Sequence, residues 1–196
     1  MKTQLDAPDD IRSQIWIELV RASRDKHHEW RTPVLATTGL DGLAQARTVV
    51  LRHAHTATFE LDLYTDSRSA KAQELKAQAQ AQLVFWSARL SWQLRAQVAV
   101  SVITAGPELD ALWQIVRQSP SAGDYLSRLA PGAVLPEAHA DSDAKAERKA
   151  PLIGPLATPC FAVLRAEVTQ MDWLELSRTG HRRALLDAHT WAWLAP

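Results

Sequence analysis

The apolar residues of this chain change their spacing at Thr32, and that change limits the folds open to it. Before it, Ile11, Ile15 and Leu19 recur every four residues with Trp16 and Val20 beside them. This is the stripe of an amphipathic helix, which Asp9 or Asp10 can cap and the polar run 23–29 ends. After Thr32, short apolar runs alternate with polar residues between turn signals, the spacing of strands. Residues 33–38 and 44–51 flank Gly39-Leu-Asp-Gly42, whose glycines tolerate positive φ, and predict a hairpin. Phe59, Leu61 and Leu63 form a third strand, with Glu60 and Asp62 on its other face.

The remainder continues in the same manner. Residues 67–82 are rich in Ala, Gln, Lys and Glu and predict a helix. Residues 82–86 and 90–104 read as strands, the second long enough to bend across a barrel, and 108–118 as a short helix with Leu109, Leu112, Trp113 and Val116 on one stripe. Six of the ten prolines then fall between Pro120 and Pro159, so 131–157 reads as an irregular excursion rather than a linker. Strand patterning resumes at 160–164 and continues through Val168 to Leu176, followed by His181-Arg-Arg183 and the terminal segment 191–196. Seven or eight antiparallel strands with short helices predict a mainly β fold: a small closed or partly closed β-barrel with flanking helices, one domain over 1–196.

Composition removes several function classes. With 22 Lys+Arg against 22 Asp+Glu, the chain lacks the basic surplus of a nucleic-acid binder. One cysteine, Cys160, allows neither a disulfide framework nor a Cys-rich zinc module; at the start of a strand it reads as a small core residue. No apolar run is long enough for a bilayer, and the first residues carry acids where a signal peptide needs an apolar core, so the expectation is cytoplasmic. His27-His28, His53-Ala-His55 and His139 lack a third ligand at a metal-site spacing, so no metal is expected. Eight tryptophans against three phenylalanines and two tyrosines stand out; Trp16, Trp86 and Trp92 suit helix and barrel packing.

Three segments could carry chemistry. Arg47-Thr-Val-Val-Leu-Arg52 has a cation at each end, on opposite strand faces unless a bulge intervenes. Tyr64-Thr-Asp-Ser-Arg-Ser-Ala-Lys71 runs from a strand end into a helix. Its hydroxyls at Thr65, Ser67 and Ser69, its charges at Arg68 and Lys71 and the helix N–H groups suit a phosphate monoester, although an ordinary N-cap would need only one of them. Gln93 and Arg95 share one face of an apolar strand, which a planar polar ligand or an outward, solvated face explains equally.

Together these segments resemble the pyridoxamine 5'-phosphate oxidase family of FMN-binding split barrels, an antiparallel Greek-key type, in a shorter, divergent branch. The likeness runs from about Trp30 to the C-terminus and also takes in Trp173, His181-Arg182-Arg183 and Leu194-Ala-Pro196. The resemblance implies non-covalent FMN shared between the subunits of a homodimer. Arg47 and Lys71 match positions that hold the flavin phosphate, with Thr65 beside it; Tyr64 and Ser69 fall in the same turn, and Arg68 stands in for a family arginine that is Ala70 here. Val49, Val50 and Leu51 match the strand along the isoalloxazine ring, and Arg52 the cation at its end. Gln93 matches a glutamine reaching the ring from the partner, Trp173 an aromatic near it, and Arg182 or Arg183 an arginine at its pyrimidine side.

On the substrate side, the family's Tyr, Arg and Ser spacing falls on Trp113, Arg117 and Ser121, so the phenol is replaced, and Arg52 borders the same region. The activity implied is hydride transfer from a B6 phosphate to flavin N5, with imine hydrolysis and reoxidation by oxygen; the flavin carries the chemistry and no catalytic side chain is assigned. The alternatives are a reductase taking electrons from NAD(P)H or a deazaflavin, and a barrel that binds FMN without turnover.

Overall fold

The computed structural model describes residues 7–134 and 159–196. Its helices and strands, in chain order, are α1 Pro8–Arg24, β1 Val34–Thr38, β2 Ala44–Thr48, β3 Leu51–His55, β4 Glu60–Asp66, α2 Ala70–Ala77, β5 Gln80–Ser87, β6 Trp92–Ile103, α3 Pro107–Val116, β7 Phe161–Glu175, β8 Arg182–Leu186 and β9 Trp191–Leu194. Short 3-10 turns at Glu29–Arg31 and Pro120–Tyr125 complete the described elements. The greater part of the 131–157 excursion, and His139 within it, lies outside the described residues. No described helix is long and apolar enough to cross a membrane.

All strands join one antiparallel sheet, ordered β2-β1-β5-β6-β7-β4-β3, with β8 on the far half of β7 and β9 on β8. The run 44–51, read as one strand, is two. Val49 and Val50 carry no ladder; the Val49 N–H instead donates to Pro33 O (3.0 Å), ending β2, and β3 begins at the opposite edge of the sheet. Three Cα steps separate Thr48 from Leu51, about 11 Å at most. The two edges must therefore approach each other, and the sheet curls round although no ladder joins β2 to β3. It is a split, not a closed, barrel.

The strand patterning that resumes at 160–164 and continues through Val168 to Leu176 is, as expected, one strand, β7. β7 runs unbroken because the charge that interrupts its apolar pattern, Arg165, is answered by Asp62 of β4 (3.0 Å) and Glu108 of α3 (2.5 Å). A bulge at Thr169 shifts the β6–β7 register, and Thr169 Oγ1 donates to Gln97 O (3.1 Å). The remaining differences are smaller. α1 is started by Ala7 and Pro8, with Asp9 and Asp10 in its first turn rather than capping it, and α2 is shorter than 67–82 because residues 80–82 join β5. Trp86 faces away from the core and is 48% exposed, against the packing role expected of it.

The core lies inside the curl, where α1 contributes Ile11, Ile15 and Leu19, and Trp30, Phe85, Trp92 and Trp173 form a chain of ring contacts. A second, smaller cluster sits on the outer side of β4 and β7, where α3 and the Pro120–Tyr125 turn bring Leu109, Val116 and Tyr125 onto Phe161 and Val163.

Candidate functional site

One end of the sheet gathers cations. Arg47 of β2 donates to Thr37 Oγ1 and to Glu74 Oε2 (2.9 Å), and Thr37 Oγ1 donates to the same carboxylate (2.6 Å). Lys71, in the first turn of α2, makes no hydrogen bond or ion pair among the described residues. Burial, and after it the Arg47 charge, pushes its ammonium below the ordinary lysine range, with Asp66 and Glu74 acting against them. Beside it the hydroxyls of Thr65 and Ser69 pair at 3.0 Å and are both buried. Ser69 is the N-cap of α2, yet its side chain caps nothing, which leaves N–H groups of the first turn open. A half-buried cation with no hydrogen bond or ion pair among the described residues, beside buried hydroxyls and free N–H groups, has the chemistry to take up an anion.

Arg68 is differently employed. Its Nε and one terminal nitrogen hold both oxygens of Asp66 (3.0 and 2.6 Å), and its terminal nitrogens also reach the carbonyls of Ser127, Arg128 and Leu129.

A bulge between Leu51 and His53 places Arg52 on the outer face of β3, while Leu51 stays in the core. The Arg52 guanidinium lies over the Tyr64 ring (5.4 Å to its centroid) and within hydrogen-bonding reach of the Tyr125 hydroxyl; its buried Nε has no partner among the described residues. Tyr64 OH meets His53 Nε2 at 2.9 Å. Burial pushes both phenols up and the His53 imidazole down. Trp113 packs on Tyr125 and Phe161. Among the described residues the Arg117 side chain bonds only to Gln114 three residues before it, and Ser121 to Ser119.

The remaining predicted residues lie elsewhere. Gln93 stands opposite Trp86 and Leu174, on the outer face of β6, with no side-chain hydrogen bond among the described residues. Next to it Asp172 takes Arg95 (3.3 Å) and Arg183 (2.7 Å). On the opposite face Trp173 is fully buried, and Arg182 lies over its ring while paired with Glu175 (2.6 Å). The two arginines are thus on opposite sides of β8.

Residues 13–104 match the family described as Pyridoxamine 5'-phosphate oxidase, FMN-binding domain. Over residues 13–104, a little under half of its length, the chain is similar to that family. The match implies FMN as the cofactor. A Pyridoxine/pyridoxamine 5'-phosphate oxidase of Thermosynechococcus vestitus is 38% identical over 109 residues, 56% of this chain and 50% of that protein, so the match spans about half the curated relative's length. The crystal structure of a pyridoxamine 5'-phosphate oxidase-related, FMN binding protein from Nostoc punctiforme aligns at TM-score 0.69 and 25% identity over 97% of this chain and 98% of its own. PhzG from Burkholderia lata, solved in complex with tetrahydrophenazine-1-carboxylic acid, shares the fold at TM-score 0.70 and 23% identity, over 97% and 95%.

The sequence reading missed Tyr125, Glu74 and Asp66. The chain has two tyrosines, and the fold brings both against Arg52. Nothing local marked the two acids, whose partners come from the fold.

Proposed function

We propose that the protein is a homodimeric, FMN-dependent oxidoreductase of the pyridoxamine 5'-phosphate oxidase type, with the primary amine of a B6 phosphate as the substrate to test first. The observation that carries the reading is Lys71, a half-buried ammonium beside the charge of Arg47 that makes no hydrogen bond or ion pair among the described residues. Taking a lysine out of water without a counter-ion is unfavourable unless a ligand supplies one, and a phosphate of nearly two negative charges does so. Lys71, Arg47, Thr65, Ser69 and the α2 N–H groups would hold that phosphate. Val49 to Leu51, where the Val49–Val50 link carries no ladder, would lie along the ring. When bound, FMN supplies the hydride acceptor; the chain's own residues bind, orient and exclude water.

The positions of the candidate residues support the homodimer. Thr65 sits beside Ala162 and Gln93 beside Leu174, twelve residues further along β7, about 40 Å of extended strand. Gln93 also faces outward, so a second copy would bring Gln93, with Arg182 or Arg183, to the flavin of the first. Arg52, with Trp113, Arg117 and Ser121 from the α3 side, would form the substrate end. The family's phenol there is Trp113, which favours a second reading: a reductase that takes electrons from NAD(P)H or a deazaflavin.

Mixing FMN-loaded protein anaerobically with pyridoxamine 5'-phosphate, and separately with NAD(P)H, separates the two by which one bleaches the flavin. Replacing both Arg47 and Lys71 with Ala is expected to weaken FMN binding at least about 100-fold, since two charge-assisted contacts are lost. Unchanged affinity in that double variant, measured by flavin fluorescence quenching, would remove the basis of the reading.

A further inference from the structure

Arg68 lies inside the cofactor turn, yet each nitrogen of its guanidinium is engaged by an oxygen of the protein itself. Two of its nitrogens hold both oxygens of Asp66, and its terminal nitrogens collect three successive carbonyls fifty-nine to sixty-one residues away: Ser127 O (2.9 Å), Arg128 O (3.2 Å) and Leu129 O (3.3 Å). A backbone bridge runs alongside. The Ser67 N–H donates to Cys160 O (2.7 Å), and the Cys160 N–H donates to Tyr125 O (2.9 Å). Tyr125 in turn packs on Trp113 and reaches Arg52. The turn that carries Thr65, Ser69 and Lys71 is thereby joined to the segment that walls the Arg52 side.

We infer that Arg68 is a positioning residue that couples FMN binding at the 65–71 turn to the ordering of residues 126–131. The inference rests on the reading that this turn holds the FMN phosphate. Three features support it. A planar guanidinium can serve a carboxylate and several carbonyls at once, which an ammonium cannot. Asp66 is buried and faces Lys71 as well, so holding both its oxygens on Arg68 leaves the Lys71 ammonium open to a ligand. A phosphate that fixes the turn also fixes the Arg68 fork, and with it the three carbonyls; by linkage, a ligand that orders 126–131 strengthens FMN binding by the same factor.

The test measures FMN affinity by fluorescence quenching and amide hydrogen exchange over 126–131, with and without FMN, in the full chain. In the native protein FMN should slow exchange in that segment. Arg68→Lys keeps a cation on Asp66 but cannot span three carbonyls; its FMN Kd should stay within about threefold, while the FMN-induced slowing disappears. Arg68→Met provides a second variant with the same expected loss of slowing. The Cys160 bridge remains in both, and thermal melting checks that they fold. Slowing that persists in either folded variant overturns the proposal. So does a Kd raised more than about tenfold in Arg68→Lys, which would make Arg68 a phosphate ligand. If the native protein binds no FMN, the functional reading fails first and the coupling falls with it. If it binds FMN without slowing exchange, only the coupling fails.

Discussion

Lys71 and Arg47 bring like charges to one place, and only Arg47 is answered by a carboxylate, that of Glu74 at 2.9 Å. The ammonium of Lys71 therefore opposes folding until an anion arrives. Because its folded pKa lies below the ordinary lysine value, the unfolded chain holds more protons between the two, and apo-protein stability should rise with pH through that window. Lys71→Met should remove this pH dependence, raise the apo Tm by about 2 °C and weaken FMN binding about tenfold or more; calorimetry of the apo-proteins between neutral and alkaline pH checks the first two. These residues were legible in the sequence because hydroxyls, cations and a helix start fell within one short run. The use made of Arg68 was not legible, since its carbonyl partners lie fifty-nine or more residues away, and neither was the meeting of both tyrosines on Arg52. Trp86 misled for a related reason: composition says that a tryptophan is present, not which face of its strand it takes.

Elements were legible wherever one period held over a whole run, as in α1, β1 and β6. They failed where a tertiary contact overrode the local pattern. Residues 44–51 broke at Val49–Val50 because the chain leaves one edge of the sheet for the other, whereas β7 ran on as read, with Asp62 and Glu108 neutralising Arg165. The docking of α1 rests on a comparable long-range device. Buried Glu18 accepts from Gln14 (3.0 Å), Arg21 (3.1 Å) and Arg89 (2.6 Å) and meets His28 Nε2 at 2.9 Å, tying the helix to the β5–β6 turn. Burial alone would push this carboxyl up, but His28 and Arg89 bring it below the usual range. Glu18→Ala should cost about 2 kcal/mol, at the lower end for a broken buried pair because Arg21 and Arg89 remain largely in solvent, and should lower Tm by about 4–8 °C. A carboxyl with a depressed folded pKa stabilises above its unfolded value, so this difference should be full near neutrality and shrink as pH falls from about 4.5 through the lower folded value. Melting curves of both proteins across acid pH test the sign.

For the whole molecule, the period change at Thr32 carried the fold class: an antiparallel sheet with flanking helices, curled until its edges meet without pairing. What one chain cannot do is bring its anion turn and its outward-facing Gln93 to a single planar ligand, because β7 separates them by nearly its whole length. The account therefore requires two copies and two equivalent sites. Native mass spectrometry during a titration with FMN measures this directly. The expected result is a dimer that fills in steps to two FMN, with no monomer that carries the cofactor. A monomer that binds FMN as tightly as the dimer, or a protein that binds none, would contradict the account.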